Sequence, residues 1–168
     1  MNDALIEAFR HNTWATRELL TFCRGLSAEQ LGSTGTGSYG DILATFGHIV
    51  RSDANYARRL AGDEPDQRGD ESLDLDQLAA RVEETGLLWE QLLAGPIDPD
   101  RVIVVDRGAS EVRAGIFVAQ ALHHGNAHRE QVCAILTGLG VDPPGIQAWE
   151  YAWATGRLWE RTAGDRSV

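Results

Sequence analysis

The sequence predicts an all-α protein, a four-helix bundle with a short β-hairpin before the fourth helix and a short C-terminal helix. Three observations carry this expectation. Four stretches of about 20 residues repeat apolar side chains at the 3.6-residue period of a helix. Glycine, proline or capping side chains punctuate them. A β-branched run, Arg101-Val-Ile-Val-Val-Asp106, is long enough for one hairpin strand.

The first helix is expected from Asp3 to Arg24, with Leu5, Ala8, Phe9, Thr16, Leu19, Leu20 and Cys23 on one stripe. Asn12 falls at the centre of that stripe, either as a core hydrogen bonder or as a group facing a pocket. Trp14 lies on the opposite side and calls for an interface or a covering loop. Ser27 to Gly37 reads as a flexible connection, and it lacks the Gly-Lys-Ser/Thr ending of a phosphate loop.

Ser38 is expected to cap the second helix, with Asp41 at its third position. Ile42, Phe46, Ile49, Val50, Asp53, Ala57 and Leu60 make its stripe, and the acidic segment 62–72 ends it. His48 falls on the edge of the stripe, where it is either a solvated residue or a ligand at an open site. The third helix spans Leu73 to Ala94, with Leu75, Leu78, Ala79, Val82, Gly86, Trp89 and Leu93 inward. Gly95-Pro96 stops it. Arg107-Gly108-Ala109 then turns the β-branched run into a second short strand through Val112.

The fourth helix runs from Ala114 to Leu139, with Phe117, Val118, Ala121, Gly125, Val132, Ile135 and Leu136 inward. His124 and His128 lie on one shoulder of that face, about 40° apart, while His123 points away into solvent. Gly125 allows another helix to approach closely. Asp142-Pro143-Pro144-Gly145 breaks the chain before a short helix from Ile146 to Leu158. There Trp149 and Trp153, an i,i+4 pair, are expected to pack the segment onto the bundle, with a lid or a dimer contact as the alternative.

The whole-chain numbers narrow the function. The 168 residues, 43% hydrophobic, suit one domain over 1–168. A net charge of −10 and a pI near 4.8 argue against a nucleic-acid partner, which needs a basic patch. Cys23 and Cys133 are expected as reduced, semi-buried thiols and not as a disulfide framework. With no signal-peptide pattern after Met1 and no apolar run of about 18 residues, a soluble cytoplasmic protein without membrane contact is expected.

His124 and His128 sit on adjacent turns, so two ring nitrogens can face one metal ion, and a bundle can bring His48 to them. Three imidazoles would leave positions open for water or substrate, as a catalytic site does. The metalloprotease pattern His-Glu-x-x-His is absent, and neither cysteine stands at a ligand spacing from a histidine. Asn12, Ser52 (one turn beyond His48) and Gln120 (one turn before His124) are the polar candidates for the substrate pocket. No catalytic side chain is identified.

The segment Leu122-His-His-Gly-Asn-Ala-His-Arg-Glu-Gln-Val132 resembles the His-x3-His-Arg-x-Gln run of the DinB/YfiT-like family, and Ser38-Tyr-Gly-Asp-Ile-Leu-Ala-Thr-Phe-Gly-His-Ile49 is similar to that family's second helix. Phe9-Arg-His-Asn-Thr-Trp-Ala15, the hairpin and Asp142-Pro-Pro-Gly-Ile-Gln-Ala-Trp149 match in order, so the likeness covers essentially the whole chain. It implies a bundle with one crossover, a divalent metal on His48, His124 and His128 (zinc first, nickel or iron as alternatives), and a homodimer. It also implies a small-molecule substrate and a thiol co-substrate such as mycothiol or bacillithiol, for a metal-dependent S-transferase. A metal-dependent hydrolase and a non-catalytic metal- or ligand-binding dimer are the alternatives.

Overall fold

Each of the four long helices buries the stripe that its periodicity marks. The computed structural model describes residues 3–65 and 73–160. Over these the chain forms α1 (Asp3–Cys23), a single-turn α2 (Ala28–Leu31), α3 (Ile42–Ala61), α4 (Leu75–Ala94), an antiparallel hairpin of β1 (Val102–Val105) and β2 (Ser110–Arg113), α5 (Ala114–Gly138) and α6 (Ala148–Ala154). The expected first, second, third and fourth helices are α1, α3, α4 and α5. The bundle is all-α apart from this hairpin, in which Val102 faces Arg113 and Val105 faces Ser110.

The core divides into two apolar clusters, and these give the helix directions. One gathers Phe9, Ala57, Leu60, Trp89, Leu93, Phe117 and Ala121, with Ile103 and Val112 of the hairpin against it. The other holds Leu19, Leu20, Cys23, Ile42, Phe46, Leu78, Val82, Val132 and Leu136. Thus α1 and α5 run from the hairpin end to the far end, and α3 and α4 run back. Around the bundle the packing order is α1, α4, α3, α5. The antiparallel neighbours are therefore α1–α4 and α3–α5. Because α3 finishes at the hairpin end and α4 begins at the other, the connection 62–74 is the one long crossover.

A polar layer separates the two clusters and touches all four long helices. Buried Arg129 of α5 donates from Nη1 to the Asn12 side-chain oxygen at 2.7 Å and to Thr16 Oγ1 at 3.0 Å, both on α1. The Trp89 indole of α4 donates to Asp53 Oδ1 of α3 at 3.0 Å. Burial pushes the Asp53 carboxyl up to about 7, against the opposing pulls of the Trp89 hydrogen bond and the Arg129 charge. The layer depends on Gly125, where a Cβ would lie 2.6 Å from Asn12 Oδ1.

Several local expectations are corrected. The cap of α3 is Asp41, whose side chain accepts from the Ala44 amide at 2.7 Å, and not Ser38. The Ser38 hydroxyl is engaged three residues earlier, accepting from the Gly35 amide and donating to the Gly35 and Gly40 carbonyls. Ser27–Gly37 is braced and not simply flexible. Ser27 and Gln30 form a capping box that starts α2, and Thr34 bridges Asp41. The start of α4 moves to Leu75, because Asp74 and Gln77 form a second capping box.

The C-terminal helix is shorter than expected and docks through a different side chain. Trp149 and Trp153 are 71% and 59% exposed. Tyr151, between them in sequence, is buried instead, and its hydroxyl donates to Glu7 at 2.7 Å. His11 of α1 contacts the Ile146 carbonyl through Nε2 at 2.9 Å. The outer face of α1, including Trp14 at 5.5 Å from the Tyr151 ring, is thereby covered. Trp14 has found the covering segment that its off-stripe position called for. Among the described residues no helix is long and apolar enough to cross a membrane.

Candidate metal centre

Antiparallel packing of α3 on α5 sets the seventh residue of α3, His48, against the middle of α5. His124 and His128 reach it from adjacent turns. The three residues present ligand atoms that all lie within 4.8 Å of one another, a grouping able to hold one metal ion. The His48 ring centre is 4.6 Å from that of His124 and 4.7 Å from that of His128. His124 is buried and the other two are half-buried, so the cluster reaches the bundle surface and is not sealed in the core.

Burial, then the neighbouring His128 and Arg51, hold His48 below the usual imidazole range. Burial, then His128, His48 and His123, push His124 down to about 4. Both rings are therefore neutral at neutral pH, the form that donates a lone pair to a metal. Their Nε2 atoms stand 2.9 Å apart, so one ring carries the proton between them. For both lone pairs to face a cation, that proton has to reside on Nδ1.

His128 has its tautomer assigned by its surroundings. Its Nδ1 lies 2.8 Å from Gln131 Oε1. The same oxygen accepts the Tyr39 backbone N–H at 3.1 Å, and Gln131 Nε2 donates to the Gly37 carbonyl at 3.2 Å. Two backbone groups thus orient the amide, because an N–H can only donate and a C=O can only accept. His128 Nδ1 must then be the protonated nitrogen, and Nε2 keeps its lone pair. Such an outer hydrogen bond is the usual support of a metal-binding imidazole.

Aromatic rings border the centre. Tyr39 stacks on His48 with ring centres 3.9 Å apart and planes 8° from parallel, and it is 52% exposed. Tyr56, about two turns beyond His48 along α3, meets His124 edge-on at 5.8 Å. The cysteines take no part. Cys23 and Cys133 lie in the far apolar cluster, where burial pushes their thiols up to about 12 and 11.

The fold brings together His48, His124 and His128, while His123 is exposed on the far side of its helix. Ser52 is half-buried one turn beyond His48, and Gln120 is exposed one turn before His124. Asn12 is turned into the polar layer, bonded to Arg129, as a core hydrogen bonder. Sequence reasoning did not place Tyr39, Tyr56 or Gln131 at the site, although Tyr39 and Gln131 stand within the segments that carry the family resemblance. For Gln131 a signal existed, since a polar side chain three residues after His128 shares its helix face. Tyr39 had none, because no local period shows that the segment before α3 folds its ring onto His48, nine residues on.

The donor set suits a divalent ion: three imidazole nitrogens, one with its tautomer held, at a partly exposed cluster. No curated protein matches the chain. A family model does, the DinB family, over residues 1–163. The up-down-down-up bundle, the hairpin and the histidine cluster agree with that match, and the chain belongs to the DinB family.

Proposed function

We propose that the protein is a metal-dependent enzyme that joins a low-molecular-weight thiol, such as mycothiol or bacillithiol, to a small electrophile, with His48, His124 and His128 holding the cation. The observation that carries this reading is the convergence of three imidazole ligand atoms within 4.8 Å at a half-open groove. A divalent ion there would supply Lewis acidity, lowering the pKa of a thiol it binds. The remaining work belongs to the chain. His128, fixed by Gln131, offers Nε2, and Tyr39 and Tyr56 wall the groove against water. Ser52 and Gln120 border it as the polar contacts for substrate.

The thiol has to arrive as a substrate, because Cys23 and Cys133 are buried in an apolar cluster and stay protonated. Its sulfur forms the new bond to the electrophilic carbon, its proton passes to solvent, and the leaving group departs with the bonding electrons. Zinc is the first choice of metal for three imidazoles, with nickel or iron as alternatives. A single cytoplasmic domain acting as a homodimer completes the proposal. Exposed Trp149 and Trp153 support the dimer, and a Trp153→Ser variant should sediment as the lighter species.

The test is a panel of small thiols with a chlorinated aromatic electrophile, using zinc-loaded and chelator-treated protein. The expected result is turnover that requires both thiol and metal. No metal-dependent turnover with any thiol overturns the transferase reading, and ester cleavage without thiol replaces it with a hydrolase.

A further inference from the structure

The segment 34–41 lies over the histidine cluster as a braced strap. Thr34 bridges Asp41, and the Ser38 hydroxyl ties Gly35 to Gly40 from within. At Gly35 a Cβ would meet Ile135 Cγ1 at 3.1 Å, so the strap is pressed onto α5. Its tip carries Tyr39, whose ring covers one face of His48. Gln131 is the side chain of α5 that grips this tip at two points, the Tyr39 N–H and the Gly37 carbonyl. The oxygen that holds the Tyr39 amide is also the one that accepts the proton of His128 Nδ1.

One amide therefore serves two purposes through one atom. If the strap lifts, Gln131 loses the two backbone partners that orient it, and nothing then distinguishes its oxygen from its nitrogen beside His128. If His128 instead presents Nδ1 as an acceptor, the amide must turn over, which opposes donor to donor at Tyr39 and acceptor to acceptor at Gly37. We propose that Gln131 is a positioning residue that couples closure of the Tyr39 strap to the tautomer of His128, so that the cover over His48 and the free Nε2 of His128 are set as one state. Part of this inference rests on the metal reading above, because the coupling would then link strap closure to cation holding.

The test separates the two. In metal-free protein labelled with 15N-histidine, long-range proton–nitrogen spectra report the tautomer of each ring, and amide exchange reports the strap at Tyr39. Wild-type protein should show His128 protonated at Nδ1 and a protected Tyr39 amide. Gln131→Leu should lose the Nδ1–H preference and speed Tyr39 exchange by about tenfold or more. It should also weaken binding of zinc alone by about 10- to 100-fold, the usual cost of an outer partner. Gln131→Glu keeps an oxygen for both N–H groups and should restore the tautomer and most of the zinc affinity, a rescue that a merely structural role does not produce. Gln131 is half-buried at the helix surface, and Gln131→Asn, one methylene short, breaks the same contacts if the leucine variant fails to fold. A His128 tautomer or a Tyr39 exchange rate that stays at the wild-type value in the leucine and asparagine variants overturns the coupling, and so does a glutamate variant that fails to restore the tautomer. Wild-type protein that binds no zinc overturns the metal reading, and the two metal-free measurements still decide the coupling.

Discussion

The two antiparallel helix pairs of the bundle are built from similar amphipathic helices and end as opposites. Along α1–α4 the seam is bridged by charges. Arg10–Glu90, Arg17–Glu83 and Arg24–Asp76 pair at seven-residue intervals, at 2.7, 3.1 and 2.7 Å. Gly86 sits so close to Thr13 that a Cβ would lie 2.8 Å from its methyl group. Along α3–α5 the corresponding border carries imidazole and phenol rings, with His48 and His128 half-buried at the surface. Two uses of one geometry are thereby separated: exposed charges paired across a seam, and imidazole rings whose nitrogens converge on one another. Only the second arrangement offers nitrogen donors that a cation can take up.

The largest expected contrast between the pairs is in metal binding. His48→Ala and His128→Ala should each weaken zinc binding by more than about 100-fold, beyond the loss of an outer partner, while Arg17→Ala leaves it unchanged in the same titration. An Arg17 effect as large as a histidine effect would erase the distinction between the two seams.

Next in size is packing at the polar layer. Gly125→Ala places a methyl 2.6 Å from Asn12 Oδ1 and 3.0 Å from Arg129 Nη1, both buried and mutually bonded. Urea unfolding should show a loss of about 1–3 kcal/mol, typical of overpacking. Away from that layer the matching change at Gly47 of α3, where a Cβ meets nothing within 4 Å, should instead raise stability by about 0.5–1 kcal/mol through helix propensity.

The histidine cluster and the polar layer oppose each other in pH. His124, held down at about 4 from an ordinary 6.5, binds fewer protons folded than unfolded in that interval, so its contribution to stability falls as pH drops from 6.5 toward 4. Asp53, raised to about 7 from an ordinary 3.8, binds more protons folded, so its contribution falls as pH rises through that window. In metal-free protein Asp53→Asn removes the second trend. Stability should then climb more steeply between pH 4 and 7 than in wild type, and a shallower climb would reverse the assignment. The smallest effect is at the charged seam, where Arg17→Ala should cost less than about 1 kcal/mol in urea unfolding, because the pair is exposed.

Much of this was legible in the residues. The stripes of α1, α3, α4 and α5 are patterns within single helices, and Gly125 and Asn12 stood out on them because a small or polar residue interrupts an apolar face, whereas Asp53 passed as one more residue of its stripe. His124 and His128 share a helix, so the wheel separated them from His123 without a structure. His48 needed a second helix, and its edge position meant either solvent or a groove until α5 was packed beside it. Where polar residues compete locally, the pattern was ambiguous. Ser38 and Asp41 are both good caps, and the choice was made by Ser38 turning back to Gly35. Trp149 and Trp153 share a face of α6, but which face docks is decided by Glu7 and His11 on the outside of α1, more than 130 residues away in sequence. The Tyr39–Gln131–His128 link is of the same kind, a contact across 92 positions that no local period announces.

The central claim is that the groove between α3 and α5 holds a cation on three imidazoles. It is tested most directly by metal analysis of protein purified without a polyhistidine tag and dialysed against zinc, wild type beside His124→Ala. One zinc per chain in the wild type, and its loss in the variant with the fold intact by circular dichroism, is the predicted result. A His124→Ala protein that keeps one zinc per chain would contradict it.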